Sequence, residues 1–228
     1  MTKIPHIPNW INGQETQPEE DVWLDKFNPH SGALLCLVAD SSEVDAQHAI
    51  TAACDAFPNW SELTPVKRGQ ILGDIVTVMK RRSGELADCI AVETGKPPQD
   101  AKGEVGGAIL QAEYFAGEGM RLYGRSLTSG MVGKYSHTVR QPRGVVGLLV
   151  PANTPIANIA WKVFPALICG NSVVLKAAED APRIAWLFAQ VAKEAGLPDG
   201  VLNVVQGRGQ VSGAALVMDE RVAVISFT

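Results

Sequence analysis

Residues 144–176 have the sequence GVVGLLVPANTPIANIAWKVFPALICGNSVVLK. A continuous apolar run is followed by a turn with two prolines, a stretch with helical apolar spacing, a Gly-Asn pair and a second apolar run. Apolar runs without alternation are typical of strands that are buried on both faces of a parallel sheet. This segment therefore predicts a strand, a helix and a second strand of one parallel sheet.

The same alternation continues along the rest of the chain. We expect strands at 145–150, 172–176, 201–205 and 222–227, and helices at about 156–169, at about 181–195 and from about 210 onwards. Gly170-Asn171 and Gly196 stand where helices commonly end. The predicted fold class is α/β, with a Rossmann-like parallel sheet that is covered by helices on both faces.

The first 130 residues have a different pattern. Residues 1–40 are rich in Pro and Gly between short apolar runs, which predicts strands and turns that wrap a larger body. Helical periodicity begins after Ser42, an available N-cap, and we expect Pro58 to end that first helix. Further helices are predicted from Thr64-Pro65, through Glu85 to Thr94, and from Pro97-Pro98 towards Tyr123.

Residues 134–140 alternate as a strand between glycine-rich flanks, with polar groups on both faces. Such a strand has no clearly buried side, which suggests an excursion away from the main core. The chain is therefore divided into a first part of the core at 1–129, the excursion at 130–143, and the βα-alternating part at 144–228.

Composition limits the classes of partner. The chain has 228 residues, 46% of them apolar, and a formal net charge of −4, which gives no basis for nucleic acid or an anionic membrane as partner. The first ten residues do not resemble a signal peptide, and no apolar run reaches the length of a membrane span. We therefore expect a cytoplasmic protein that binds a small molecule or another protein chain.

Cysteine and histidine give no sign of a metal site. Cys36, Cys54, Cys89 and Cys169 are widely spaced and form no Cys-x-x-Cys pair, and the four histidines share no ligand spacing. Each thiol lies in a predicted strand or helix, so we expect four buried, inert side chains. We expect no bound metal.

Ligands of open parallel sheets bind beyond the carboxyl ends of the strands, which directs attention to the turns that follow them. After the first predicted strand, Asn153 lies between Pro151 and Pro155. A fixed amide can donate a hydrogen bond to a developing oxyanion, although an asparagine beside a proline can also simply cap a helix. Lys162, on the helix that follows, is by itself typical of a surface lysine.

The turns after the second and third predicted strands also carry candidates. Lys176 and Glu179 could hold the ribose hydroxyls of a dinucleotide, or could form a solvated ion pair. A carboxylate there repels a 2′-phosphate, which favours NAD over NADP. The glycines at 207–213 resemble a dinucleotide fingerprint with one residue too many before the third glycine, and a tight strand-to-helix turn that needs glycine for backbone reasons is the alternative explanation.

Taken together, these motifs resemble those of the aldehyde dehydrogenase superfamily. The resemblance rests on Glu93-Thr94-Gly95-Lys96-Pro97, on the Pro-x-Asn-x-Pro turn, and on three longer segments in the same order along the chain. These segments are Ala160-Trp161-Lys162 with Pro165-Ala166-Leu167, the run from Gly170 to Lys176, and the run from Ala195 to Val205. The resemblance covers essentially the whole chain, as the front part of such an enzyme.

The resemblance implies roles for individual residues. Asn153 would donate to the oxyanion of a thiohemiacetal, and Lys162 would correspond to a lysine that is sometimes assigned a proton relay. Lys176 and Glu179 would hold the adenosine ribose of NAD. Further cofactor contacts would come from Leu149, Val150, Pro151, Gly209, Gly213 and Phe227. The strand in 130–143 would belong to an oligomerisation domain, which implies a homodimer or homotetramer.

Two features separate the chain from the family pattern. Ala152 and Ala177 stand where the family commonly has tryptophan and proline. The general-base glutamate and the nucleophilic cysteine of the family would lie beyond residue 228, so the resemblance predicts an aldehyde-oxidising parent enzyme and a chain that is inactive alone. Two alternatives remain open: a non-catalytic assembly or regulatory module, and a CoA-acylating relative.

Overall fold

The computed structural model describes residues 4–228 as three sheets and seven α-helices. The strands are β1 (His6–Ile7), β2 (Asn9–Ile11), β3 (Gln14–Thr16), β4 (Trp23–Phe27), β5 (Leu34–Ala39), β6 (Ser126–Thr128), β7 (Tyr135–His137), β8 (Val145–Leu149), β9 (Ser172–Lys176), β10 (Leu202–Val205) and β11 (Val222–Phe227). The helices are α1 (Glu43–Glu62), α2 (Pro65–Arg81), α3 (Ser83–Thr94), α4 (Pro98–Gly117), α5 (Pro155–Ile168), α6 (Pro182–Glu194) and α7 (Ala214–Met218).

The main sheet has six strands in the order β11-β8-β9-β10-β2-β3. Its first four strands are parallel, which confirms the α/β fold predicted from the apolar runs. The hairpin of β2 and β3 extends this sheet in the antiparallel direction, a feature that the sequence did not predict. Two buried side chains attach it: Asn9 Oδ1 accepts from the Gln206 amide at 2.8 Å, and Asn203 Oδ1 accepts from the Asn12 amide at 2.9 Å.

Helices cover both faces of the main sheet, as the continuous apolar strands predicted. On one face, Ala49, Ile50 and Ala53 of α1 pack with Leu216 of α7 against buried valines of the strands. The larger core lies on the other face, where α2 to α6 form a helical layer. Among residues 4–228, no helix is both long enough and apolar enough to cross a lipid bilayer.

The expectation that Pro58 ends the first helix is wrong, because α1 continues through it to Glu62. Proline removes one hydrogen bond of the helix, to the carbonyl four residues earlier. The last turn is held by Trp60 instead, whose side chain is buried and whose Nε1 donates to the Leu167 carbonyl at 3.2 Å. The helix predicted to run towards Tyr123 ends earlier, at Gly117, and continues as a 3₁₀ turn at Glu118–Met120.

The predicted excursion is a short antiparallel hairpin of β6 and β7 that forms its own two-stranded sheet. All six of its strand residues are exposed. The first strand begins at Ser126, four residues before the boundary drawn from the sequence. Separately, β1, β5 and β4 form a small sheet beside the main one.

Two glutamates of the helical layer cap helices that follow strands of the main sheet. Glu104 of α4 accepts from the Ile156 amide at 3.0 Å at the start of α5. Glu93 of α3 accepts from the Arg183 amide at 2.6 Å and from the Ile184 amide at 3.0 Å at the start of α6. Neither helix has a hydrogen bond from its own N-cap side chain. These carboxylates therefore occupy positions where anionic ligands commonly bind.

Glu93 should make the stability of the protein depend on pH. Burial raises the pKa of this carboxyl to about 7, although the backbone amides and Cys89 that contact it act in the opposite direction. Because the folded state holds the proton more tightly, the stabilisation is complete below about pH 4.5 and is lost as pH rises to about 7. Between these two pH values, the free energy of unfolding of the wild type should fall by on the order of 3 kcal/mol more than that of a Glu93→Gln variant.

Urea unfolding at about pH 5 and about pH 8 measures this difference. Glu85→Gln, on the same helix, is the matched control, because a hydrogen bond from Arg82 lowers the pKa of the Glu85 carboxyl and moves its titration to more acidic pH. If the free energy of unfolding changes equally with pH in the wild type and in Glu93→Gln across this range, then Glu93 does not titrate there.

Candidate functional site

The carboxyl ends of the four parallel strands meet at one edge of the main sheet. Leu149 at the end of β8 pairs with Lys176 at the end of β9, and Lys176 pairs with Val205 at the end of β10. On the other side of β8, Phe227 at the end of β11 pairs with Leu149. The turns that carry the predicted site residues are thus neighbours in space.

Lys176 and Glu179 form an ion pair beside the turn that follows β10. Lys176 is buried and its Nζ lies 2.7 Å from Glu179 Oε2, whereas Glu179 is exposed. Burial raises the pKa of the Glu179 carboxyl, but hydrogen bonds from Lys176 and from backbone amides outweigh it and hold that pKa below the ordinary value. Glu179 is therefore an ionised acceptor at neutral pH, held in place by a buried cation.

A cleft of about 620 Å³ opens beside this pair, between β4 and the turns after β9 and β10. We call it the edge cleft; its walls include Lys26, Phe27, Glu179, Arg208 and Gly209. The volume lies within the range of sites for small molecules and cofactors, roughly 300–1,000 Å³. The edge cleft thus presents a fixed carboxylate to a ligand of nucleoside size.

The glycines of the third turn have different surroundings. Gly207 has a φ of +96°, and a Cβ there would lie 2.6 Å from the Ser41 amide nitrogen, so the turn requires glycine for backbone reasons. A Cβ on Gly213 would lie 3.3 Å from Leu149 Cδ2, which shows that Gly213 allows the following helix to pack closely on β8. Gly209 is the one that lines the edge cleft.

Asn153 has its carbonyl oxygen engaged and its amide nitrogen available. Asn153 Oδ1 accepts from the Thr154 backbone amide at 2.8 Å. Within residues 4–228, Asn153 Nδ2 has no hydrogen-bond partner, and the residue is exposed. The N-cap of α5 is Thr154, and Glu104 accepts from its first amides. Asn153 is therefore not the cap of this helix, and its amide can donate outward.

Lys96 and Glu104 hold the backbone of this turn. Lys96 Nζ donates to the backbone carbonyl of Asn153 and to Glu104 Oε2, the latter at 2.5 Å. In the sequence, Lys96 belongs to the Glu93–Pro97 motif without a predicted role, and Glu104 is not among the predicted site residues. Spacing gave no signal for either, because the contact to Asn153 joins residues that are 57 positions apart.

Lys162 and the other predicted residues lie at or near the same edge. Lys162 Nζ donates to Ser226 Oγ at 2.7 Å, and burial lowers the pKa of its ammonium group. This places it beside Phe227, which is exposed at the end of β11.

Val150 is buried and donates its amide to the Lys176 carbonyl at 3.3 Å, so its side chain belongs to the core. Pro151 follows at the start of the Asn153 turn.

The expectation that all four thiols are buried is wrong for two of them. Cys36 and Cys89 are buried, but Cys54 is half-buried and Cys169 is exposed, because α5 ends at Ile168 and the chain turns at Gly170. Burial raises the pKa of every one of these thiols. None of them lines the edge cleft. In the described part of the chain, no group of three or more His, Cys, Asp or Glu side chains is arranged to hold a metal ion.

Comparisons with known proteins agree with this geometry. The sequence model of the aldehyde dehydrogenase family matches residues 15–228. The alpha-ketoglutaric semialdehyde dehydrogenase of Bacillus subtilis is 37% identical over 221 residues, which is 96% of this chain and 45% of that protein. The NADP/NAD-dependent aldehyde dehydrogenase PuuC of Escherichia coli is 36% identical over 222 residues, again 96% of this chain and 45% of that protein.

A solved structure shows the same fold. The indole-3-acetaldehyde dehydrogenase AldA of P. syringae, in complex with NAD+ and IAA, superimposes with a TM-score of 0.94 at 35% identity and covers 99% of this chain and 46% of its own. The chain thus spans about half the length of the proteins that it matches. On the family match and on these similarities, the chain belongs to the aldehyde dehydrogenase family.

Proposed function

We propose that this chain is the cofactor-binding front part of an NAD(P)-dependent aldehyde dehydrogenase, which oxidises an aldehyde to a carboxylic acid through a cysteine thiohemiacetal. The observation that supports it most is the placement of the Lys176–Glu179 ion pair and the outward amide of Asn153 at one edge of the sheet. The nucleophilic cysteine would come from outside these 228 residues, because burial raises the pKa of all four thiols present and so disfavours the thiolate.

The residues at this edge fit the adenosine part of NAD. Glu179 would accept hydrogen bonds from ribose hydroxyls, with Lys176 holding its carboxylate, and Gly209 would leave room for the nucleoside. When bound, the nicotinamide ring of NAD would supply the hydride acceptor. The pyrophosphate would lie away from α5 and α6, because Glu104 and Glu93 already accept from the first amides of those helices. Leu149, Val150, Pro151, Gly213 and Phe227 would border the site through backbone and packing contacts.

Asn153 would supply the oxyanion donor. Its carbonyl oxygen is held by the Thr154 amide, so its two amide hydrogens would be available to the negative charge that forms when a thiolate adds to an aldehyde. Lys96 fixes the backbone of the same turn. Lys162, with its pKa lowered by burial and its Nζ on Ser226, would take part in proton relay.

We propose NAD as the preferred cofactor, with NADP second. The ionised Glu179 would repel a 2′-phosphate. Arg208 is a cation in the same cleft, but it lies 3.5 Å from Asp40, whose carboxylate balances its charge. The relatives support either cofactor, since PuuC is described as NADP/NAD-dependent and AldA is seen with NAD+.

The hairpin of β6 and β7 would belong to an interface between subunits of a homodimer or homotetramer. Its strands are exposed on both faces, and Tyr135 at 82% exposure and Val132 at 105% are large apolar side chains in solvent. A non-catalytic assembly module is the second candidate function, and the exposed strands of this hairpin favour it. A CoA-acylating relative would share every feature described above.

The isolated 228-residue chain should produce no NADH from NAD and an aldehyde. The physical reason is that burial raises the pKa of all four thiols, which leaves none of them as a ready nucleophile. A panel of aliphatic, aromatic and semialdehyde substrates, followed by NADH absorbance, measures this. NADH production above the rate measured without protein would contradict the proposal that the nucleophilic cysteine comes from outside these 228 residues.

Glu179→Gln should weaken discrimination against NADP. Removing the negative charge removes the repulsion of the 2′-phosphate, so the ratio of NADP to NAD dissociation constants should fall by roughly tenfold. Calorimetric titration of both cofactors into each variant gives the ratio. Glu220→Gln, an equal charge change at an exposed turn, is the control and should leave the ratio unchanged. Preference for NADP in the unmodified chain would contradict the assignment of Glu179.

In the dehydrogenase that contains this chain, Asn153→Ala should lower kcat by about 10²–10³-fold with little change in KM, because one oxyanion donor is lost. Steady-state kinetics with a saturating aldehyde tests it. The control is Asn59→Ala, an exposed asparagine on α1. A kcat equal to that of the control would remove Asn153 from the mechanism.

A further inference from the structure

A second cavity, of about 450 Å³, lies at the opposite edge of the main sheet from the edge cleft. We call it the arginine cavity, because Arg68, Arg140 and Arg143 all line it, together with Gln141 and Cys169. No aspartate or glutamate lines it. A chain with a net charge of −4 thus gathers three guanidinium groups around one cavity without a carboxylate.

Arg68 is the buried member of the group, with 4% of its surface exposed. Its Nε donates to the Ile168 carbonyl at 3.1 Å, and its Nη1 donates to the carbonyls of Ser61, at 3.2 Å, and Leu63. Within residues 4–228, Nη2 has no hydrogen-bond partner and no carboxylate lies within ion-pair distance of Arg68. Burial of this charge lowers its pKa, which reflects the cost of a buried cation without an opposite charge.

Arg140 and Arg143 lie at the mouth of the cavity and are also free of carboxylates in the described part of the chain. Arg140 Nε makes one long hydrogen bond, 3.4 Å, to the Tyr123 carbonyl, and the Arg143 guanidinium makes none. Of the seven arginines outside the cavity, five form ion pairs with aspartate or glutamate: Arg81, Arg82, Arg121, Arg208 and Arg221.

The cavity is separate from the proposed cofactor site. Arg143 precedes β8, and Cys169 and Asn171 precede β9, so the cavity lies at the amino ends of these strands. Lys176 lies at the carboxyl end of β9, five residues along a strand, which corresponds to roughly 17 Å. A ligand in the arginine cavity would therefore contact the segment that joins the exposed hairpin to β8, and not the edge cleft.

We propose that the arginine cavity binds a small oxyanion that carries two negative charges, such as inorganic phosphate or the phosphoryl group of a metabolite. Guanidinium groups donate two parallel hydrogen bonds to such oxyanions, and Arg68 Nη2, Arg140 and Arg143 supply the donors. The bound anion balances the buried charge of Arg68. It also ties the base of the hairpin to the ends of α2 and α5. The proposal does not rest on the dehydrogenase function.

Cys169 provides a local reporter, because it is exposed and lines the cavity. The folded 228-residue chain is alkylated with iodoacetamide, a neutral reagent. It is then digested, and mass spectrometry of the peptides gives the alkylation rate of each cysteine. Phosphate is titrated against chloride at constant ionic strength. At a concentration ten times the dissociation constant, phosphate should slow alkylation of Cys169 by about tenfold. Cys54, half-buried elsewhere, is the internal reference and should not change.

Arg140→Gln with Arg143→Gln should abolish the protection of Cys169, while Arg125→Gln should retain it. Arg125 is exposed at the base of the same hairpin and does not line the cavity, so it controls for the loss of one positive charge, and Arg125→Gln with Lys134→Gln, also exposed and outside the cavity, matches the loss of two. Glycerol phosphate and succinate as alternative probes separate a phosphoryl site from a site for dicarboxylates; protection by succinate alone would overturn the phosphoryl assignment. Equal protection in all variants, or none in wild type, would overturn the site.

Discussion

The arrangement of the site depends on two glutamate carboxyl groups that reach across from the helical layer. Glu93 and Glu104 accept from the first amides of α6 and α5, the helices that follow β9 and β8. Helix N-termini at the carboxyl edge of a parallel sheet are the usual sites for phosphate groups, because their free amides and dipoles favour negative charge. Here the protein fills two of them with its own side chains.

The consequence is that the site is built from side chains and not from those helix ends. Glu104 also pairs with Lys96, and Lys96 fixes the backbone of the turn that carries Asn153. The same contact that caps α5 thus leaves Asn153 free of a capping role. On the neighbouring strand, Lys176 holds Glu179 as an ionised acceptor at the edge cleft. A dinucleotide that binds here would be recognised first through its ribose.

Much of the fold could be predicted because it follows from local pattern. The apolar runs of 145–227 gave the parallel strands, and the Lys176–Glu179 pair, three residues apart, was visible in the sequence. Contacts between residues far apart in the sequence could not be predicted. Glu93 and Arg183 are separated by 90 positions, and Glu104 and Ile156 by 52. The end of α1 was predicted wrongly at Pro58 for the same reason, since a long-range contact of the buried Trp60 with α5 holds the last turn of the helix.

The most direct test of this account is hydrogen exchange of the 228-residue chain with and without NAD. We predict slower exchange at the amides of 177–180 and 208–210, which border the edge cleft. The amides of Ile156, Ala157, Arg183 and Ile184 should be unchanged, because glutamate carboxylates already bind them. Slower exchange at these four amides, with none at the edge cleft, would show that NAD displaces the carboxylates and would contradict the account.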